Sequence, residues 1–348
     1  MSFLLYGANG YTGRLIAREA AQRGLGFTLA GRNAPEIEAL AAELRVPHQV
    51  VALDHLAGLD RALEGHGAVL HCAGPFGRTS APMADACLRR GVHYLDITGE
   101  IAVFESLAAR DSDARARGVV LLPGVGFDVV PTDCLALHLK QRLPDATHLW
   151  LAFQTRGGIS RGTALTSLEG AGGGGRVRRD GRLTTVPPAW KTRMVDFGKG
   201  PRLTVTIPWG DVATSWYSTG IPNVEVYVAA RPAAVRSLRL SRWLAPLLAL
   251  PPVKALLVRG VRRREPGPSD QARATGFSVV VGEVRNDGGQ TARARFTGPE
   301  AYTLTMHSAL NAVTRVLDGG VGAGFQTPAK AFGPNFALEI AGTSREEL

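Results

Sequence analysis

The sequence is poor in cysteine and in long apolar runs. Only three cysteines, Cys72, Cys87 and Cys134, occur among 348 residues, and no two of them have the spacing of a zinc-ligand pair. This excludes a disulfide framework, and we expect no bound metal. We also expect a cytoplasmic location, because the chain runs from a short apolar segment directly into a glycine turn without a basic leader.

Acidic residues are absent from residues 231–264, which carry nine lysines and arginines of a chain whose formal charge is +10. Interleaved leucines predict a surface helix that contacts an anionic membrane. Its longest uncharged run, 243–253, is shorter than the roughly 20 residues that span a bilayer. A helix packed on the core with solvated arginines is the alternative interpretation. Nucleic acid is not expected, because aromatics are sparse there and no binding motif accompanies the charge.

Short apolar runs alternate with segments of helical period through the first third of the chain. Strands are predicted at 3–6, 28–30, 48–52, 68–72, 93–96 and 119–122, and helices at 12–23, 34–44, 82–90 and 101–117. This alternation is typical of an α/β fold built on a Rossmann-type, doubly wound parallel sheet. We assign residues 1–130 to this first domain.

The pattern changes after residue 131. A helix is predicted at 132–142, and strands at 148–155, 202–207, 224–230, 278–285 and 291–296, with a turn at 286–289 between the last two. A glycine-rich stretch that ends at Gly175 predicts a mobile loop. Residues 131–300 are therefore expected to form a second α+β domain on a largely antiparallel sheet, which covers the substrate. A helix is predicted at 299–317, and we expect the C-terminal segment 300–348 to pack back on the first domain.

The first predicted strand leads directly into a glycine turn and a helix. Gly7, Gly10 and Gly13 allow a tight turn and close backbone approach at a helix N-terminus, which is what binding of a dinucleotide pyrophosphate requires. We assign the turn, including Asn9, Tyr11 and Thr12, to cofactor binding. A purely structural strand-to-helix turn is the alternative.

Arg32 and Asn33 follow the second predicted strand, where an enzyme specific for NAD carries an acidic residue for the ribose hydroxyl. A guanidinium pairs with a 2′-phosphate, whereas a carboxylate repels it. The position therefore indicates NADP(H) as the cofactor. A solvated surface arginine is the alternative interpretation.

Small residues follow the fourth predicted strand and are assigned to the nicotinamide side of the cofactor site: Cys72, Ala73, Gly74, Pro75 and Phe76. Cys72 is interpreted as a small buried side chain and not as a nucleophile, since no paired histidine suggests its activation.

Polar residues follow the fifth and sixth predicted strands and line the same edge of the sheet: Asp96, Thr98, Glu100 and Asp128. Each of them also suits a helix cap. Thr98 and Asp128 are candidates for proton transfer, together with Thr163 in a loop that carries Arg156 and Arg161. That loop either closes over an anionic or thioester substrate or is simply solvated.

Five segments resemble the saccharopine dehydrogenase-like oxidoreductases, and specifically their trans-acting enoyl reductase branch: YGANGYTGRL, LAGRN, HCAGPFG, HYLDITGE and GVGFDVVPTD. Weaker similarity continues through 162–163, 267–269, 302–305 and 326–329. The resemblance implies an NADP(H)-binding Rossmann domain, a second domain that forms the substrate pocket, and reduction of a carbon–carbon double bond in a lipid or polyketide acyl chain. It also implies a carrier-bound substrate, with an acyl carrier protein or a synthase as partner.

Two other functions stay open at this point. One is reduction of an imine, as in saccharopine metabolism, for which Arg156 and Arg161 could bind substrate carboxylates. The apolar character of five aromatic residues in the second domain favours the acyl substrate instead: Trp190, Phe197, Trp209, Trp216 and Tyr217. The other is a redox sensor that binds NADP(H) without turnover.

Overall fold

A computed structural model describes residues 2–170, 174–248 and 250–348, without the side chains at 169, 170, 241–248, 251 and 254. Its strands are β1 (Phe3–Tyr6), β2 (Phe27–Gly31), β3 (His48–Val50), β4 (Ala68–His71), β5 (His93–Asp96), β6 (Val120–Leu122), β7 (His148–Arg156), β8 (Gly175–Arg179), β9 (Arg182–Val186), β10 (Thr192–Asp196), β11 (Pro201–Thr206), β12 (Asn223–Ala229), β13 (Phe277–Arg285), β14 (Thr291–Pro299), β15 (Gly324–Phe325) and β16 (Ser344–Glu347).

The helices are α1 (Tyr11–Gln22), α2 (Ala34–Leu44), α3 (Leu56–Ala62), α4 (Phe76–Arg90), α5 (Ile101–Ala108), α6 (Asp111–Ala116), α7 (Val130–Arg142), α8 (Arg161–Gly170), α9 (Asp211–Thr219), α10 (Pro232–Leu248), α11 (Pro251–Arg262), α12 (Asp270–Ala274), α13 (Ala301–Leu317) and α14 (Pro328–Phe332). A short 3₁₀ helix follows at Phe336–Glu339.

The chain divides into two compact units, one of Met1–Val130 with Tyr302–Phe332 and one of Pro131–Ala301 with Gly333–Leu348. The C-terminal segment 300–348 is thus shared between the two units.

The first unit contains a seven-stranded sheet in the order β15-β6-β5-β4-β1-β2-β3, and all its neighbouring strands are parallel. Every residue of β1, β4 and β6 is buried. Such fully apolar strands are typical of a parallel sheet with helices on both faces. The predicted doubly wound sheet is confirmed, and β15 from the C-terminal segment adds an edge strand that the sequence did not indicate.

Two helix predictions in the first unit were wrong. Helix α4 begins at Phe76 and contains Pro82, because the Glu100 carboxylate accepts hydrogen bonds from the first N–H groups of the helix and fixes its start. The predicted helix 101–117 is broken into α5 and α6, because the backbone leaves the helical region at Arg110, where φ is −95° and ψ is 6°. The Asp111 side chain that follows accepts a hydrogen bond from the backbone N–H of Phe325 at 2.7 Å.

The second unit contains a nine-stranded mixed sheet with the main order β10-β11-β12-β7-β13-β14-β16, to which β8 and β9 attach through β12. The pairing of β12 with β7 is parallel and the other pairings are antiparallel. The predicted largely antiparallel sheet is confirmed. Strands β13 and β14 form the predicted hairpin, with Arg285 opposite Thr291.

The prediction of a mobile loop through the glycine-rich stretch was wrong for residues 161–170, which form α8. The Ser160 hydroxyl accepts a hydrogen bond from the Thr163 N–H at 3.2 Å, and this cap fixes the start of the helix. Residues 171–173 of the same prediction lie outside the described residues.

The predicted surface helix over 231–264 consists of two helices, α10 and α11, which contact each other. The prediction also relied on the side chains of Arg242, Trp243 and Lys254, which lie outside the described residues.

Candidate functional site

The glycine turn after β1 places backbone against backbone. Gly7 has a φ of +79°, and a Cβ at that residue would lie 2.6 Å from the backbone nitrogen of Ala73. A Cβ on Gly13 would lie 2.4 Å from the Gly7 carbonyl oxygen, and one on Gly10 would lie 3.3 Å from the same atom. Side chains at Gly7 and Gly13 would therefore force the backbone apart, so the turn requires glycine at both positions.

The N-terminus of α1 is suited to an anion. Its N-cap residue is Gly10, which has no side chain to cap the helix, and its first turn contains no acidic residue. The partial positive charge of a helix N-terminus favours a phosphate at such a position. Tyr11 in this first turn packs edge-on against Tyr302 of α13, with ring centroids 5.1 Å apart.

The N-terminus of α4, in contrast, is occupied by a carboxylate of the protein. Glu100 accepts hydrogen bonds from the backbone N–H groups of Phe76 at 2.8 Å and Gly77 at 2.9 Å. The Thr79 hydroxyl donates to the Ala73 carbonyl at 2.6 Å and fixes the preceding turn. A second anion at α4 would be repelled by Glu100, so of these two helix N-termini only that of α1 is free of a carboxylate.

The predicted nicotinamide loop after β4 lies against the glycine turn through Ala73, the residue that Gly7 approaches. Gly74 is exposed, and Cys72 and Pro75 are half-buried. Burial raises the pKa of the Cys72 thiol well above its usual range, so the residue stays a neutral thiol.

Arg32 lies exposed at the end of β2. It forms no ion pair in the described part of the chain. Its guanidinium lies close enough to Tyr6 to oppose the rise that burial causes in the pKa of that hydroxyl, which is raised to about 12. The Tyr6 hydroxyl itself donates to the Val51 carbonyl at 3.0 Å. A charged guanidinium is thus presented to solvent at the end of the second strand.

A carboxylate in the first turn of α2 connects that helix to the glycine turn. Glu36 accepts hydrogen bonds from the side-chain amides of Asn9 at 3.1 Å and Asn33 at 2.7 Å. Arg14 forms an ion pair with the same carboxylate at 3.4 Å and also donates to the Asn9 carbonyl. The sequence analysis missed Arg14 and Glu36, although Glu36 stands in the first turn of α2, where an acidic residue is common.

These features fit a dinucleotide with a 2′-phosphate. The close approach at Gly7 and Gly13 gives room for a pyrophosphate, and the N-terminus of α1 faces it without a competing acid. Arg32 supplies a cation, and the negative charge of Glu36 is offset by Arg14.

Asp96 at the end of β5 is a structural carboxylate. It is fully buried and accepts hydrogen bonds from the Tyr94 hydroxyl at 2.6 Å and from the backbone N–H groups of Thr98 and Gly124, each at 2.9 Å. Burial raises the pKa of Asp96 to about 6, although these hydrogen bonds oppose the rise. The side chain joins the ends of β5 and β6 and is shielded from any substrate.

Of the two proton-transfer candidates in this unit, Asp128 has the more accessible side chain. Thr98 is fully buried, and its hydroxyl accepts a hydrogen bond from the Glu100 N–H at 3.1 Å. Asp128 is half-buried, and its carboxyl lies beside Gly99, where a Cβ would come within 3.0 Å of Oδ2. The surrounding protein raises the pKa of Asp128 to about 7. A carboxyl group with this pKa can both donate and accept a proton near neutral pH.

The loop that carries Asp128 is held by helix α13. The Thr305 hydroxyl accepts a hydrogen bond from the Phe127 N–H at 2.9 Å, and the Ser308 hydroxyl donates to the Val125 carbonyl at 2.7 Å. Val129 has a φ of +155°, which a β-branched residue rarely adopts. Residues 302–305 carried part of the family resemblance, but no local pattern in the sequence indicated that they bind this loop.

The third candidate, Thr163, lies in the second unit at the start of α8, where its hydroxyl is 3.2 Å from that of Ser160. Arg156 is exposed, and Arg161 donates to the Arg262 carbonyl at 3.2 Å. Thr163 and Ser160 therefore serve the helix cap, and Arg156 is the more accessible of the two predicted cations.

Four of the five aromatic residues that the sequence indicated in the second unit, Trp190, Phe197, Trp209 and Trp216, contact different partners. Phe197 belongs to the core cluster that contains Trp150. The guanidinium of Arg179 lies over Trp190, and that of Arg178 lies over Trp216. Trp209 packs on Phe153, with centroids 4.8 Å apart. These contacts do not gather the aromatic residues into one apolar site, so they add nothing to the preference for an acyl substrate that their apolar character suggested.

A polar stripe on helix α9 escaped the sequence analysis. Four polar residues at helical spacing, Asp211, Thr214, Ser215 and Ser218, lie where a core-facing helix usually has apolar ones, and the first three are fully buried. The Ser218 hydroxyl donates to Asp133 at 2.6 Å. The hydroxyls of Thr214 and Ser215 have no hydrogen-bond partner in the described part of the chain. The i, i+3, i+4, i+7 spacing of polar residues is the signal that could have found this stripe.

The described residues contain no group of three His, Cys, Asp or Glu side chains that could hold a metal ion. No helix within those ranges combines the length and the apolar character that crossing a bilayer requires.

Comparison with known proteins relates the first unit to one family. Residues 3–122 match the family model described as the saccharopine dehydrogenase NADP binding domain. A trans-acting enoyl reductase from Mycobacterium leprae is 32% identical over 148 residues, which cover 40% of this chain and 35% of that protein. A saccharopine dehydrogenase-like oxidoreductase from Mus musculus is 24% identical over 213 residues, which cover 53% of this chain and 49% of that protein.

The aligned part thus spans between about a third and a half of these relatives. Among solved structures, the apo saccharopine dehydrogenase (L-Glu forming) from Saccharomyces cerevisiae matches with a TM-score of 0.69 at 13% identity, covering 100% of this chain and 99% of that chain. This likeness concerns the fold of both units.

Proposed function

We propose that the chain is an NADPH-dependent reductase of a carbon–carbon double bond in an acyl thioester, because residues 3–122 match the saccharopine dehydrogenase NADP binding domain. The observation that carries the proposal is the combination of the glycine turn at α1 with the exposed guanidinium of Arg32. The relatives named trans-acting enoyl reductase give the reaction class.

The residues that would hold the cofactor lie in three segments. The backbone of the turn from Gly7 to Gly13, with Asn9, Tyr11 and Thr12, would hold the pyrophosphate, and Arg32 with Asn33 would bind the 2′-phosphate. The loop from Cys72 to Phe76 would support the nicotinamide side. When bound, NADPH supplies a hydride to an electron-poor carbon.

Reduction of an enoyl thioester also needs a proton at the carbon next to the carbonyl. The Asp128 carboxyl is the candidate donor, because its pKa of about 7 leaves it largely protonated below neutral pH. Hydrogen bonds between α13 and the backbone of Val125 and Phe127 hold the loop from which this carboxyl extends. The hydride and the proton together convert the double bond to a single bond.

The substrate follows from the reaction class. An enoyl reductase that acts in trans receives its acyl chain on a carrier protein or from a synthase, so we propose an acyl carrier protein or a synthase as the partner. The three cysteines are all free, which agrees with a location in the reducing cytoplasm.

In the experiment, the purified protein is incubated with NADPH that carries deuterium at the transferred position. The second reactant is either a 2-enoyl thioester of N-acetylcysteamine or a mixture of a 2-oxo acid and an amino acid. Mass spectrometry then locates the label. We expect deuterium on the β-carbon of the saturated acyl product. Deuterium on the carbon bonded to nitrogen would show that the protein reduces an imine, and the proposed reaction would then be wrong.

Variants separate chemistry from binding. Asp128→Asn should lower kcat at least about 100-fold, the contribution typical of acid–base catalysis, while the Kd for NADPH stays unchanged. Asp54→Asn, at an exposed aspartate of the same unit, is the matched control and should retain full activity. If both redox forms of the cofactor bind tightly and no acceptor is reduced, the chain is a redox sensor and the proposed reaction is wrong.

A further inference from the structure

The basic hairpin, which we define as residues 231–264 with helices α10 and α11, carries almost all of the excess charge. Its nine lysines and arginines are not balanced by any acidic residue, whereas the formal charge of the whole chain is +10. The remaining 314 residues of the chain are therefore close to neutral. This concentration makes the hairpin a local source of positive potential.

The arginines of the hairpin point to solvent. Arg236 and Arg239 on α10 and Arg259 and Arg262 on α11 are exposed. None of the four forms an ion pair with any residue that the structure describes. Their positive charge is therefore available to an external anion.

Large apolar side chains are exposed on the same two helices. Of eleven exposed large apolar residues in the described ranges, five belong to the hairpin: Leu238, Leu240, Leu250, Leu256 and Leu257. Leu240 is 62% exposed and Leu256 is 70% exposed. Exposed apolar residues grouped in this way mark a contact surface more often than a solvated face.

Packing on the core does not account for these leucines. Val235 on α10 and Val261 on α11 are buried and attach the helices to the rest of the unit. Four of the leucines lie at other positions of the same helices, Leu250 directly precedes α11, and all five are exposed to solvent. The interpretation of the segment as a core-packed helix with solvated arginines therefore explains the two valines but not the five leucines.

We propose that the basic hairpin docks on the surface of an anionic lipid bilayer. Arginine side chains reach the lipid phosphates while leucines enter the boundary between headgroups and acyl chains, so one surface satisfies both residue types. An acidic protein would pair with the arginines, but it would leave most of the leucines in water. The bilayer is the partner that uses both.

Docking would also place α8 near the lipid. Helix α11 packs against α8, and Arg161 at the start of α8 donates to the Arg262 carbonyl. A membrane-bound hairpin thus brings the second unit next to a source of acyl chains. The inference stands on the hairpin alone and does not depend on the reaction proposed above.

The test is flotation of the full chain with phosphatidylcholine vesicles, with and without phosphatidylglycerol. We expect binding to the anionic vesicles only, and loss of that binding as salt is added. Each arginine near an anionic surface contributes about fivefold to partitioning, so Arg236→Glu, Arg239→Glu and Arg259→Glu together should lower it by at least about 100-fold.

Leu240→Ser with Leu256→Ser tests the apolar contribution and should lower partitioning by about tenfold for each residue. Leu183→Ser with Met194→Ser removes two exposed apolar side chains from the same unit outside the hairpin and is the matched control. We expect the control to bind like the unchanged protein. Circular dichroism and the Kd for NADPH identify any variant that has lost its fold.

Several results would overturn the proposal. Equal binding to neutral and anionic vesicles would show that the charge has no part in docking. Equal losses in the hairpin variants and in the control would show that the leucines are not the contact. Binding to a purified acyl carrier protein without binding to either vesicle would assign the hairpin to an acidic protein instead.

Discussion

Replacing Arg32 by glutamine removes the charge that we expect to bind the 2′-phosphate and leaves a side chain of similar length. Because Arg32 forms no ion pair in the described part of the chain, the substitution leaves no buried partner unsatisfied, and the stability of the fold should not change. A hydrogen bond to a charged group contributes about 1.5–3 kcal/mol, which corresponds to about 10- to 140-fold in Kd.

The exposure of Arg32 narrows the expected loss of NADPH affinity. Arg32 is exposed, so solvent screens its interaction with a phosphate, and a loss of about 10- to 30-fold in NADPH affinity is expected. NADH lacks the 2′-phosphate, so its Kd should change by less than about twofold. The ratio of the Kd for NADH to the Kd for NADPH therefore falls by about fivefold or more.

The assay is a fluorescence titration of the purified protein with NADPH and with NADH, repeated for two further variants. Arg18→Gln removes an exposed arginine that pairs with Glu43 at 2.9 Å, and it should leave both affinities unchanged. Glu36→Gln removes a negative charge that contacts Asn9 and Asn33 in the proposed cofactor site and should strengthen NADPH binding. Unchanged NADPH affinity in Arg32→Gln, or an equal loss for NADH, would refute the assignment of Arg32.

Four further predictions concern the same unit. Gly13→Ala places a Cβ 2.4 Å from a carbonyl oxygen and should lower the free energy of unfolding by about 1–3 kcal/mol and abolish NADPH binding; Gly322→Ala, with no heavy atom within 4 Å, should change neither in urea denaturation and titration. Glu100→Ala removes the acceptor at the start of α4 and should destabilise the protein by about 1 kcal/mol in the same denaturation assay. Thr305→Val leaves the Phe127 N–H without its acceptor and should cost about 1–3 kcal/mol; an unchanged urea midpoint would contradict the role of that hydroxyl. Because the pKa of Asp128 is raised to about 7, the protonated acid is lost as pH rises through that value, so kcat should fall above about pH 7, and a pH profile with the same limb in Asp128→Asn would exclude this carboxyl as its source.

The strand–turn–helix at the start of the chain could be predicted because its requirements are local. An apolar strand, three glycines and a helix follow one another between Phe3 and Gln22, and each element depends on residues next to it. The same holds for the hairpin of β13 and β14, whose turn residues lie between the strands that they join. The alternation of such elements indicated both sheets.

Elements that depend on distant partners could not be predicted. Helix α4 begins where it does because of Glu100, which lies 24 residues after Phe76 in the chain. The first residue of α6, Asp111, accepts a hydrogen bond from the N–H of Phe325, 214 residues away. Helix propensity carries no information about either contact.

The sequence by itself therefore indicated the first six strands, the two types of sheet and the glycine turn with Arg32 at the end of the second strand. Only the tertiary structure distinguished the carboxyl groups that follow β5 and β6. Asp96 is buried with three hydrogen-bond donors, whereas Asp128 stays half-buried in a loop held by Thr305, 178 residues from Phe127. The protonation and accessibility of a carboxyl depend on the groups that surround it, and those groups come from segments that are far apart in the chain.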